Sequence, residues 1–429
     1  MLCQQTGVVG WAFCIRPAIH QMTTQSFERT ATRPADELPT LAVVSGAHLV
    51  SHLHIMALPV LLHLLKERLG VGYFELGLAV TTFSVVSGLT QAPMGFLVDR
   101  IGGRKVLLAG LLLAGFAFAS IAFTQSYAWL IAAALLAGLA NCVYHPADYA
   151  ILAESVAESR IGRAFAVHTF AGFAGGAIAP PLLLGVAAVA GLDASLLVAG
   201  AFAWVVAAVM PLIPAAPGAR QARSAPAGKE RIGDILTPTV LSLALFFTLL
   251  ALSGNAMSTF AIAALIAGHG LSEGAATAAL TAYLIAAAVG VLAGGPLADR
   301  TSRHGDLAAA GFALSALNAL AIAVASLPAA VLIAAMALSG FLFGVIQPSR
   351  DMLVRRAAPP GAAGRVFGIV STGFNIGGVV GPLLFGWLMD QGAPRAIFGA
   401  AVVFMAATAV LGVLEERRPS RRALQGGKP

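Results

Sequence analysis

The stretch VLLAGLLLAGFAFASIAFTQSYAWLIAAALLAGLANCVYHPA, residues 106–147, runs 42 residues between Lys105 and Asp148 without one Asp, Glu, Lys or Arg. Crossing the hydrocarbon of a bilayer takes about 20 apolar residues. The run is therefore a hairpin of two helices, turning at the polar break Thr124–Tyr127. Its surroundings agree. Across all 429 residues, 58% are hydrophobic and 10% charged, where a soluble domain carries roughly 25% charged residues. In lipid the backbone must satisfy its own hydrogen bonds. A barrel would show alternating segments of roughly ten residues, whereas these runs are continuous. The 47 glycines sit mostly inside apolar runs, where small residues let helices approach closely.

The same reading divides the rest of the chain. Uncharged runs lie between Glu37 and Lys66, Glu75 and Asp99, and Arg163 and Asp193, then from Ala194 to Ile213. After a Pro/Ala/Gly linker come Thr237–Gly268, Ala275–Ala298, a second double run between Asp306 and Arg350, Val366–Met389 and Ala396–Leu414. The total is twelve helices in an all-α membrane protein. The expected organisation is a disordered cytoplasmic tail over 1–37, a six-helix bundle over 38–213 and a cytoplasmic linker over 214–236. A second bundle over 237–414 and a basic tail over 415–429 complete it. Basic residues do not precede the apolar stretch near Val8–Phe13, so a signal peptide is not expected, and Met22 is a candidate start. Of 26 Lys and Arg residues, only Lys66, Arg68 and Arg395 fall on one side of this arrangement. The other 23 share the opposite side, which by the positive-inside rule is the cytoplasm, with both termini. That asymmetry explains the net charge of +7 without nucleic acid. Cys3, Cys14 and Cys142 are too few and scattered for a disulfide framework or metal site.

The chain repeats itself. Gly95-Phe-Leu-Val-Asp99-Arg100 recurs as Gly295-Pro-Leu-Ala-Asp299-Arg300, an offset of 200. Gly138, Val143 and Pro146 recur as Gly340, Val345 and Pro348, an offset of 202. Gly162-Arg163-x-Phe165 and Gly175-Gly176-x-x-x-Pro180 recur at the same offset, as Gly364-Arg365-x-Phe367 and Gly377-Gly378-x-x-x-Pro382. Six helices per repeat, an even number, give both halves the same topology. Parallel repeats of this kind place substrate at their interface.

The run Gly95-x-x-x-Asp99-Arg100-x-Gly102-Gly103-Arg104-Lys105 resembles the loop signature between helices 2 and 3 of the major facilitator superfamily, with Gly103 where a basic residue is usual. The copy at Gly295–Arg300 fits that pattern. The resemblance implies alternating access by two rocking halves, with Asp99 and Arg100 as a cytoplasmic gate. A carboxylate and a guanidinium at helix ends can pair with each other and with helix dipoles. The expected gate comprises Gly95, Asp99, Arg100, Gly102, Arg104 and Lys105, with Asp299, Arg300 and Asp148 near the inner end of the fourth span. The bland alternative is that the basic residues only hold topology. Over about the first 190 residues the chain is similar to the fosmidomycin-resistance branch of efflux proteins, through Ala47-His-Leu-Val-Ser-His52 and Tyr144-His145-Pro146. That branch implies Asp where this chain has His52 and Glu where it has Ala147, so its coupling residue does not carry over.

Ionisable groups inside a membrane are rare and functional by default. This reading finds no carboxylate at mid-membrane, and histidines instead. His48, Ser51 and His52 share one face of the first span, with His52 about 16 Å from a helix start near Leu41. Asn141, Tyr144, His145 and Asp148 form a stripe at i, i+3, i+4 and i+7 on the fourth, and His168 lies on the fifth. With an unperturbed pKa near 6.5, histidine exchanges protons close to neutrality, so these are the expected coupling residues. The competing reading is neutral histidines hydrogen-bonded between helices. His54 points away from this face and His63 lies at the outer interface. In the second half, Asn255, Gln347, Ser371 and Asn375 are the main buried polar groups, able to orient a ligand or to act as interhelical glue.

The expected function is proton-coupled export of a small organic compound. The fifth span resembles the superfamily's antiporter signature, although Ala179-Pro180-Pro181 lacks its Gly-Pro, which occurs instead on the eleventh span as Gly381-Pro382. Uptake of a metabolite or organic anion and a transporter-like scaffold or sensor are the alternatives. No Gly-x-x-x-x-Gly-Lys-Ser/Thr loop occurs, against an ATP-driven pump, and no enzyme activity or cofactor is expected. The expected setting is a monomer in a bacterial inner membrane.

Overall fold

The computed structural model describes residues 34–157, 160–214, 236–357 and 363–418. Among them all regular structure is helical. Helix α1 covers Pro34–Leu69, α2 Tyr73–Ile101 and α3 Gly103–Ile121. Helix α4 comes in two pieces, Tyr127–Asn141 and Tyr144–Ser155. Helices α5 (161–190) and α6 (192–209) run on from each other across Gly191, whose φ of 85° breaks the axis. Helix α7 is again in two pieces, Pro238–Ser258 and Ala261–His269. Then follow α8 Glu273–Asp299, α9 His304–Val324, α10 Ala329–Ala357, α11 Ala363–Asp390 and α12 Ala396–Arg417. Among the described residues eleven segments are long and apolar enough to cross a membrane, and the one over Arg163–Leu212 is 50 residues long, enough for α5 and α6 both. The expected twelve crossings result.

The boundary at residue 38 needs correction. Helix α1 begins at Pro34, and Glu37 is buried. Its carboxylate accepts hydrogen bonds from the Ala157 amide at 2.9 Å and from Arg160 at 2.7 and 2.9 Å, so this segment is clamped to the α4–α5 turn. The remaining tail, 1–33 with Met22, the linker residues 215–235 and the C-terminal residues 419–429 lie outside the described residues. Between α2 and α3 only Gly102 is non-helical, at φ 92°, a backbone region that L side chains rarely adopt.

The two halves pack alike. A methyl at Gly138 (α4) meets the Phe83 carbonyl of α2, and one at Gly340 (α10) meets the Tyr283 carbonyl of α8. Gly175 (α5) lies on Leu49 of α1, and its counterpart Gly377 (α11) lies on Ala251 of α7. Gly200 (α6) approaches α3 at Gly115, as Gly305 (α9) approaches α12 at Gly412. Phe83 with Tyr283, and Leu49 with Ala251, differ by 200 and 202, the offsets of the sequence repeat.

The face of the molecule rich in Lys and Arg is here termed the basic face. On the opposite face the halves close on each other. The Asp390 carboxylate at the end of α11 accepts from the amides of Tyr73 and Phe74, the first turn of α2, at 2.8 and 2.7 Å. Thr81 on α2 donates to the Val379 carbonyl at 3.0 Å. His63 (α1) stands 3.7 Å from Glu273 (α8). Towards the basic face, a Cβ added to Gly95 of α2 or Gly368 of α11 meets nothing within 4 Å.

Candidate functional site

The break in α4 builds the site. After Cys142 and Val143 the helix restarts at Tyr144, with Pro146 in its first turn, where a missing N–H leaves no bond unmade. This restart presents His145 and Asp148 to α1 and α5. On α5, Gly172 admits the histidines of α1: a Cβ there would stand 2.7 Å from His48 Nε2 and 3.0 Å from His52 Cδ2. Three helices thus converge on one carboxylate.

Asp148 Oδ2 lies 3.7 Å from His48 Nδ1 and 3.8 Å from His168 Nε2. The His48 ring stacks on His168 at 3.9 Å between centroids, with His52 at 4.7 Å and His145 at 5.2 Å. Tyr149, half-exposed, covers His145 and His168 at 5.7 and 5.9 Å. The Asp148 side chain is 0% exposed. Neither of its oxygens has a hydrogen-bond partner among the described residues, nor has His48 Nδ1, His145 Nδ1, either nitrogen of His168 or the Tyr144 hydroxyl. Buried polar groups are almost always paired. Groups held just beyond hydrogen-bond distance around one carboxylate form a coupled set that can take up, share and release a proton.

This corrects the placing of Asp148. It stands within the histidine cluster rather than at a separate gate, so the first half does hold a buried carboxylate. The stripe Asn141, Tyr144, His145, Asp148 already put it on the face of His145. The donor atoms of His48, Asp148 and His168 all lie within 4.8 Å of one another. Donors sharing one ion at about 2.1 Å stand about 3.4 Å apart, so the present spacing is looser than a metal site.

The other expected residues divide by contact. Ser51 donates to the His48 carbonyl at 2.8 Å, within its own helix. Asn141 donates to Ser87 on α2 at 2.9 Å, and Asn255 to the Gly377 carbonyl on α11 at 3.0 Å; both act as interhelical glue. Gln347 and Ser371 are half-buried and Asn375 is exposed beside Gly88 of α2. His54 is buried away from the cluster, with Nε2 at 2.8 Å from the Ala199 carbonyl of α6 and its ring on Phe118. Among the gate residues, Asp99, Arg100, Lys105, Asp299 and Arg300 are exposed. Arg104 instead holds the end of α6, donating to the carbonyls of Met210 at 2.8 Å and Ile213 at 2.5 Å.

Sequence reading missed one residue. Arg350, which bounded the second double run in the sequence, lies within α10 with its side chain 12% exposed. The repeat offset could have found it, because 148 + 202 = 350.

Two six-helix halves of like packing, closed on each other at one face, with a buried ionisable cluster in the first half, have the parallel-repeat architecture of a membrane carrier. The chain belongs to the Major Facilitator Superfamily, whose model matches residues 44–263 and 244–429; the two halves of that superfamily are themselves the standing example of such parallel repeats. It is 27% identical over 371 residues to the multi-drug resistance efflux pump PmrA of Streptococcus pneumoniae, covering 82% of this chain and 89% of that protein. With the fosmidomycin resistance protein of Escherichia coli it shares 24% identity over 285 residues, 64% of this chain and 68% of that one. That likeness extends past the first 190 residues. The fold superposes on a bacterial homologue of the human lysosomal transporter Spinster, solved inward-facing and occupied, with a TM-score of 0.77. The identity there is 15%, covering 90% of this chain and 98% of that one.

Proposed function

We propose that this transporter exports a small organic compound in exchange for protons, with Asp148 and the histidines around it as the coupling site. One observation carries the reading: a fully buried carboxylate without a hydrogen bond faces two imidazoles at 3.7 and 3.8 Å. An uncompensated charge in such a place is strongly unfavourable. Each change of protonation therefore alters how α1, α4 and α5 fit together. Proton uptake and release thereby bias the rocking of the halves. The efflux named for PmrA and the Gly381-Pro382 step on α11 support export. With the basic face in the cytoplasm of a bacterial inner membrane, closure at Asp390 is closure to the outside. Asp99 and Arg100 then serve the opposite, cytoplasmic closure. The working unit is a monomer.

The test is transport by purified protein in liposomes loaded with a pH-sensitive dye, against a panel of drugs and organic acids. Wild type is expected to show compound-dependent proton flux, lost in Asp148→Asn and strongly reduced in His48→Ala. Undiminished flux in Asp148→Asn sinks the coupling site, and compound movement without proton flux sinks proton exchange.

A further inference from the structure

The half that holds Asp148 has a counterpart in which the equivalent residue carries the opposite charge. Arg350 sits 21 residues into α10, as Asp148 sits 21 residues from the start of α4 at Tyr127; at 1.5 Å per residue both are about 32 Å along their helices. The Arg350 guanidinium lies over the rings of Phe247 (α7) and Phe374 (α11), at 5.0 and 5.4 Å from their centroids. Its ion pair is with its own chain neighbour: Nε donates to Asp351 Oδ1 at 2.9 Å, and Nη2 lies 2.8 Å from the same oxygen. Residues i and i+1 do not face each other on a helix, and the Asp351 side chain is 48% exposed. Nη1 makes no hydrogen bond to any described residue. An arginine serving as glue would spend its donors on neighbouring carbonyls. This one keeps an edge of its fork open.

We propose that Arg350 is the anion-recognising subsite of the transported compound, taking a carboxylate or phosphate on its fork beside the partly exposed Phe374, while the buried Phe247 backs the guanidinium. This substrate class rests on the exporter reading above. A guanidinium fork matches such groups bidentately, and aromatic faces hold it in the plane that the anion meets. Asp351, on the other edge of the fork, competes with the incoming anion for the guanidinium charge.

The experiment is binding to full-length protein in detergent, read as the rise in Tm. The probes are phenylphosphonate and benzoate as aryl anions, benzyl alcohol as the neutral and benzyltrimethylammonium as the cation. Both anions are expected to stabilise wild type saturably, and the other two not at the same concentrations. Arg350→Gln is expected to weaken anion binding about tenfold or more, the worth of about 1.4 kcal/mol. Asp351→Asn removes the competitor and is expected to tighten it several-fold, in a variant that keeps the arginine and its packing. Equal anion binding by wild type and Arg350→Gln overturns the subsite, as does weaker binding by Asp351→Asn or equal response to the neutral probe. Proton flux in the liposome assay separates the two readings. Flux that persists while Arg350→Gln binds anions normally retires the subsite alone; anion binding that persists without flux for any compound retires proton exchange alone.

Discussion

His48 and His54 lie six residues apart on α1, and the difference in their partners predicts different phenotypes. His54 spends its ring on Phe118 and its Nε2 on the Ala199 carbonyl, binding α1 to α6. Truncation there leaves a cavity and an unmet carbonyl. His54→Ala is expected to destabilise the protein by about 3 kcal/mol, seen as a lower Tm in detergent, with transport per folded molecule unchanged. His48→Ala leaves no hydrogen bond of Nδ1 unmet, so only its cavity costs stability: a smaller fall in Tm is expected, with proton flux strongly reduced. Equal losses of stability would merge the two roles. The histidines of the cluster were legible in the sequence because His48 and His52 share a face and His145 follows the same helical stripe as Asp148. The place of Asp148 among them was not. Counting depth along each helix separately placed it at an end, and only the restart of α4 at Tyr144 and the glycines of α5 bring it under His48.

At the scale of elements, contact glycines and free glycines predict different phenotypes. Gly138 seals α4 onto α2, where any side chain meets the Phe83 carbonyl; backbone cannot move aside as a flexible side chain does. Gly138→Leu is expected to abolish the folded yield after size-exclusion chromatography. Gly95 on the same helix pair has open space around it, so Gly95→Leu is expected to fold with unchanged Tm. If α2 closes on its neighbours only in the other state of the transport cycle, that variant is slowed at least tenfold in proteoliposome transport. Normal transport by folded Gly95→Leu removes Gly95 from the moving surface. The repeat of such glycines, Gly138 with Gly340 and Gly175 with Gly377, was readable from the sequence, but which helices they join was not, because each meets a carbonyl or side chain of a helix distant in the chain. The clamp of Glu37 on Arg160 was not readable, because it joins residues 123 positions apart across a boundary that composition put outside the bundle.

For the molecule as a whole, the twelve crossings and the kinship of the halves follow from the charge-free runs and the near-constant offset. Which face is closed does not follow, because the charge-free runs and the repeat read the same whichever face closes. Closure here combines the packing of α2 on α11, where Gly77 and Gly386 lie against the Pro382 and Tyr73 carbonyls, with a cap by Asp390. Its carboxylate caps the first two amides of α2 from the other half, where a helix N-terminus favours negative charge. Removing a cap of this kind costs about 1–2 kcal/mol, a factor of about 5–30 in a two-state population. Asp390→Ala is therefore expected to shift the protein towards the state open on this face, without unfolding it. Spin labels at Val71→Cys and Ala393→Cys, in a background lacking Cys3, Cys14 and Cys142, report the separation of the halves beside the cap. A second, longer distance population is expected to grow in Asp390→Ala, while Asp390→Glu, which keeps the charge, retains the wild-type distribution. An unchanged distribution in Asp390→Ala would show that packing of α2 on α11 at Thr81 and Gly88 holds the face shut alone, and the cap would then be an ornament of closure rather than its latch.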